Sequence, residues 1–177
     1  MKQKIVKMVM AAVFMAIVCV VTMLIAIPVP GVTGYVQPGD AMVILCGIIL
    51  GRTYGFMAAS IGSALADIFL GYAIYSPATF IIKGLVAFFA AVIFKKQAQK
   101  GKKLYLAVLA GGFVDVILVT LGYFAYESLL YSPVVAVLST PMNAIQGISG
   151  MLFAAILFVA LSKISDIKKM VRDNTLS

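Results

Sequence analysis

An all-α membrane bundle of about six transmembrane helices is the fold class this sequence predicts. Three observations carry it. Apolar residues make up 63% of the chain and charged residues 11%, against roughly 45–50% and about 25% in soluble domains. A water-soluble fold of 177 residues has too little interior to hide that much apolar surface. The apolar residues run in stretches on the scale of the ~20 that a spanning helix needs. Finally, the cations collect in the breaks between those stretches.

The first helix is expected at about 5–27, stopping at Pro28. Its basic start and apolar body mimic a signal peptide. The apolar stretch is too long for one and no small-residue cleavage site follows it, so a retained span is expected. Residues 28–40 hold three prolines and three glycines and cannot form regular helix. Asp40 is placed to cap a short second helix, about 41–50. Gly51-Arg52-Thr53-Tyr54-Gly55 breaks the chain before a third helix at about 56–70. After a turn at 71–76, Pro77 sits at a first helical position and a fourth helix runs over 77–94. A basic loop, 95–103, precedes the fifth helix at 104–126. A turn at 127–133 leads into the sixth, 134–162. The whole chain, 1–177, is expected to be one membrane domain with no internal repeat.

The net charge of +8 raises the question of nucleic acid, but the cations flank apolar runs instead of forming a basic patch. A cytoplasmic N-terminus puts the N-terminal segment, the Arg52 break, the 95–103 loop and the C-terminal segment on the inner side. Those segments hold every Lys and Arg except Lys83, and the outer loops hold none. This sorting predicts that both termini are cytoplasmic. The chain has no His, which excludes imidazole metal sites and Ser-His or Cys-His catalysis. Cys19 and Cys46 lie in apolar runs and read as small packing residues. No phosphate-loop motif is present, so no ATPase activity is expected, nor any cofactor.

Charges inside spans are costly and therefore point to function. They are Asp67, Lys83 and Asp115. Asp67 and Lys83 flank the turn at 71–76 and should sit at similar depth, roughly 10 Å below it at 1.5 Å per residue. They read either as an ion pair pinning two helices or as a site in which Lys83 meets a ligand. Asp115 lies deeper and has no assigned partner. Asn143 and Gln146, three residues apart, place two amides on one helix face, for interhelical bonding or for a polar heterocycle. Six of the eight tyrosines, Tyr35 and Tyr123 among them, fall at the outer end, as an interfacial belt or as the walls of an aromatic pocket. Ala12 and Ala16 form a small-residue strip suited to close helix approach.

Several stretches together resemble the substrate-binding S components of energy-coupling factor (ECF) vitamin transporters. They are Gly39-Asp40, the run 62–67 ending in Asp67 with Gly71-Tyr72 after it, the run 75–84 containing Lys83, and the Asn143/Gln146 pair. The resemblance is to the riboflavin-type subgroup, which includes hydroxymethylpyrimidine and pyridoxine proteins. It implies a multi-pass protein of the bacterial plasma membrane that binds a water-soluble vitamin or precursor beneath the first outer loop. Lys83, Asn143, Gln146, Tyr35, Asp67 and Tyr123 are then the candidate ligand contacts. A hydroxymethylpyrimidine or pyridoxine-like ring is favoured over riboflavin, and the absence of Trp speaks against a thiamin type. The resemblance further implies docking through Ala12 and Ala16 on a transmembrane coupling protein that carries two ATP-binding subunits. Asp115 departs from the apolar residue expected there. The competing classes are a stand-alone channel or secondary transporter, which often shows an inverted repeat, and a small intramembrane enzyme, which would need a nucleophile with a base.

Overall fold

The computed structural model describes residues 2–28 and 35–176. Its elements are α1 (Lys2–Leu24), β1 (Ile27–Pro28), β2 (Tyr35–Val36), α2 (Asp40–Leu50), α3 (Arg52–Phe69), α4 (Ser76–Gln99), α5 (Leu104–Leu130), α6 (Pro133–Leu161) and α7 (Ser165–Leu176). Four helices, α1 from Lys4 together with α4, α5 and α6, are long and apolar enough to cross a bilayer. The fold is an all-α membrane-type bundle, as the composition predicts. Large apolar side chains such as Val9, Ile81, Phe113, Leu121 and Ile156 project outward from these four helices. In lipid that orientation is favourable, because lipid tails are as apolar as the side chains.

Helix α2 is the centre of the bundle. Every residue in it except Met42 is buried, and it packs against α1, α3, α4, α5, α6 and α7. A helix apolar all round has no solvent face and belongs inside. Gly47 lets α4 come close: a Cβ there would lie 1.9 Å from the Ala87 carbonyl oxygen. The chain then turns at Gly51, whose φ of +84° is open to glycine at little cost. That single residue makes the break, so α3 begins at Arg52 and not near 56.

Other boundaries shift for local reasons. The first helix ends at Leu24, three residues early, because Ile27 and Pro28 pair antiparallel with Val36 and Tyr35. Helix α4 continues to Gln99, with Lys96 in its last turn, where the helix dipole favours a cation. Helix α5 continues to Leu130, which brings Glu127 inside the bundle instead of into a turn. The expected C-terminal tail instead forms α7. Its Ile167, Met170 and Val171 are buried at helical spacing, and Asn174 Nδ2 donates to the Ile49 carbonyl at 2.6 Å.

Candidate ligand-binding site

At the cation-poor end of the bundle, beneath the β1–β2 ladder, lies a cavity of about 40 Å³. All six residues nominated from the sequence line it: Tyr35, Asp67, Lys83, Tyr123, Asn143 and Gln146. Helix spacing explains the convergence. Lys83 lies one turn below Thr79 on α4, and Gln146 lies three residues below Asn143 on α6, so each pair shares a face.

Asp40, which sequence reasoning assigned to capping, does not line the cavity but holds three residues that do. Gly39 holds the N-cap position and Asp40 is the first helical residue, with no exposed surface. Its Oδ1 accepts from Lys83 Nζ at 2.6 Å and from Gln37 Nε2 at 2.7 Å. Its Oδ2 accepts from the same Nζ and from Gln146 Nε2, both at 2.7 Å. The Gln146 Oε1 in turn accepts from the Gln37 backbone N–H at 3.1 Å. Two helices and the loop entering α2 are thereby tied to one carboxylate. Lys83 thus pairs with Asp40 and not with Asp67, which corrects the expected ion pair. Lys83 also lies 5.6 Å from the centre of the Tyr123 ring.

Asp67 instead meets the roof. The Tyr35 hydroxyl donates to its Oδ1 at 2.6 Å. Burial first, and the Asp67 carboxylate second, push the Tyr35 phenol well above its ordinary range, so the phenol remains a donor. The far wall holds Glu127, which accepts from the Tyr75 hydroxyl at 3.3 Å and from Ser139 Oγ. Thr79 and Tyr123 share a hydrogen bond of 2.8 Å. Among the described residues, buried polar atoms of Thr22, Ser63 and Asn143, all lining the cavity, have no hydrogen-bond partner.

Thr22, Gln37, Ser63, Tyr75, Thr79, Glu127 and Ser139 also line the cavity and were not nominated from the sequence, nor was Asp40, which holds Lys83 from behind the wall. Asp115 is fully buried but does not line the cavity. It packs behind Asp40, against Gly150, with no hydrogen bond to either carboxylate oxygen among the described residues. Ala12 and Ala16 face outward on α1, while Ala11 beside them is buried. No group of three His, Cys, Asp or Glu suited to a metal occurs among the described residues.

A cavity lined by hydrogen-bonding side chains and set between membrane-spanning helices is the layout of a solute-binding membrane protein. Residues 2–163 match the family described as ECF-type riboflavin transporter, S component, and the chain belongs to that family. A Pyrococcus woesei protein described as "Uncharacterized protein in gap 3'region" is 34% identical over 146 residues, covering 82% of this chain and 95% of that one. Membership makes the chain a substrate-binding subunit for vitamin transport, a multi-pass protein of the cell membrane that associates with an ECF module.

Proposed function

We propose that the chain binds a water-soluble vitamin or vitamin precursor built on one six-membered ring, of the hydroxymethylpyrimidine or pyridoxine kind. Its partners are a transmembrane coupling protein and two ATP-binding subunits, which supply the ATP hydrolysis that this chain does not perform. The size of the cavity carries the reading. About 40 Å³ corresponds to a few water-sized groups at ~10–15 Å³ each. Either ligand needs the lining to give way, a tricyclic ring with a polyol chain far more than a single ring. The polar lining supports a ring with several donors and acceptors, because a buried group left unpaired is costly. Lys83 has one N–H beyond the two held by Asp40, free to meet a ligand oxygen or ring nitrogen.

Riboflavin is the second reading, favoured by the family description. Mass spectrometry of small molecules released from the purified protein, followed by calorimetry with hydroxymethylpyrimidine, pyridoxine and riboflavin, separates the two. Riboflavin as the tightest ligand overturns the single-ring reading. Uptake by cells lacking the ATP-binding subunits overturns the assembly.

A further inference from the structure

The charges around the cavity do not balance. Lys83 is the one cation among the described lining residues, and Asp40 holds it through both carboxylate oxygens. That pair is neutral as a unit. Two more carboxylates remain on the walls, Asp67 from α3 and Glu127 from α5. Their observed partners are neutral hydroxyls, Tyr35 on Asp67 and Tyr75 with Ser139 on Glu127. Hydroxyl donors satisfy an ionised carboxylate without cancelling its charge. A buried charge lacking a counter-charge is costly, so burial alone favours the protonated acids and a cation arriving beside them favours the carboxylates.

The rest of the lining suits a cation. The rings of Tyr35, Tyr75 and Tyr123 border the cavity, and aromatic faces attract cationic nitrogen. Asn143, 6% exposed, has no partner for its Nδ2 among the described residues, which leaves a donor for a ligand hydroxyl. Ser63, 1% exposed, has no partner for its Oγ among the described residues, which leaves an acceptor or donor for a ligand N–H or oxygen.

We propose that the site selects a cationic nitrogen heterocycle, a small ring bearing positive charge on a ring nitrogen or an amino group, with Asp67 and Glu127 as its counter-charges. This deepens the single-ring reading above and rests on it. Neutral rings of the same shape then pair with neither carboxylate and are discriminated against.

Two probes of matched shape test the charge alone: 3-hydroxymethyl-1-methylpyridinium, a permanent cation, and 3-methylbenzyl alcohol, its neutral counterpart. Binding to the full-length protein in detergent is followed by calorimetry. The cation should bind at least about tenfold more tightly, the scale of an ion pair or cation–π contact at a desolvated site, since its methylated nitrogen has no N–H to donate. Glu127→Gln and Asp67→Asn should each shrink that preference, with thermal unfolding confirming that each variant folds. Equal or tighter binding of the alcohol overturns the proposal. So does a preference that neither variant reduces. If neither probe binds the folded protein, the molecule retained through purification decides. A neutral molecule overturns the charge inference alone, and no retained molecule removes the binding reading on which it rests.

Discussion

Asp40 shows how one carboxylate can organise a membrane site. Four hydrogen bonds of 2.6–2.7 Å reach its two oxygens, and its charge is matched by Lys83. Such a pair is stable only while both members are present, because removing one leaves an uncompensated buried charge, a loss of about 3–5 kcal/mol. Lys83→Met should therefore lower the thermal unfolding temperature sharply. Adding Asp40→Asn should recover most of that loss, while adding Asp67→Asn should recover none. Thermal unfolding of the three variants reads this directly, and recovery with Asp67→Asn would contradict the observed pairing. Calorimetry on the Asp40→Asn double variant then reports whether Lys83 also serves the ligand, since affinity stays low if it does. The sequence exposed Lys83 and Asp67 because each stands alone in an apolar run. It hid Asp40, because an aspartate after glycine and before an apolar run has the pattern of a cap. Only the tertiary approach of α4 and α6 distinguishes a cap from an ion-pair acceptor.

At the scale of elements, α2 explains why the site is rigid on one side. It carries Asp40 at its first position and is enclosed by its neighbours along its length. The approach of α4 at Gly47 fixes the distance between Asp40 and Lys83, which sit near the same end of the two helices. Gly47→Ala would place a methyl group 1.9 Å from a backbone oxygen, where no side-chain rotation relieves the clash. Overpacking of this kind costs about 1–3 kcal/mol. The variant should melt earlier and bind its ligand more weakly, since the two helices must separate. Unchanged melting and affinity would mean that α2 and α4 tolerate a wider spacing. The short second helix was legible from Gly39-Asp40 and Gly51 at its ends. Helix α7 was not: no element was expected after 162, and the buried stripe of Ile167, Met170 and Val171 spans barely one turn of a mostly polar segment. Glu127 was lost for a related reason: ending α5 at 126 placed its carboxylate in a turn, and the four further helical residues put it on the cavity wall.

For the whole molecule, two features of the exterior set orientation and partnership. Thirteen of the fourteen cations lie at the end opposite the cavity or in the termini beside it, so a cytoplasmic cation-rich end opens the cavity side to the exterior. With Cys19 and Cys46 replaced by Ala, a cysteine at Gln99 should resist an impermeant thiol reagent in intact cells. One at Thr33, which lies outside the described residues, should react. Reaction at both positions would contradict the orientation. The second feature is the strip at Ala12 and Ala16, which faces outward from α1 although Phe14 and Val18 on the same helix are buried. The bundle itself makes no use of these small side chains, and a small-residue strip open to the bilayer allows another helix to approach closely. Replacing both with Leu fills that groove without touching the cavity, whose nearest α1 contribution is Thr22. The isolated variant should therefore keep the ligand affinity and melting temperature of the unmodified protein. Uptake by cells that supply the coupling protein and ATP-binding subunits should fall severely, and the variant should no longer co-purify with them. Normal uptake and co-purification would mean that the partner docks on another face, and loss of affinity in the isolated variant would mean that the strip packs inside the bundle after all.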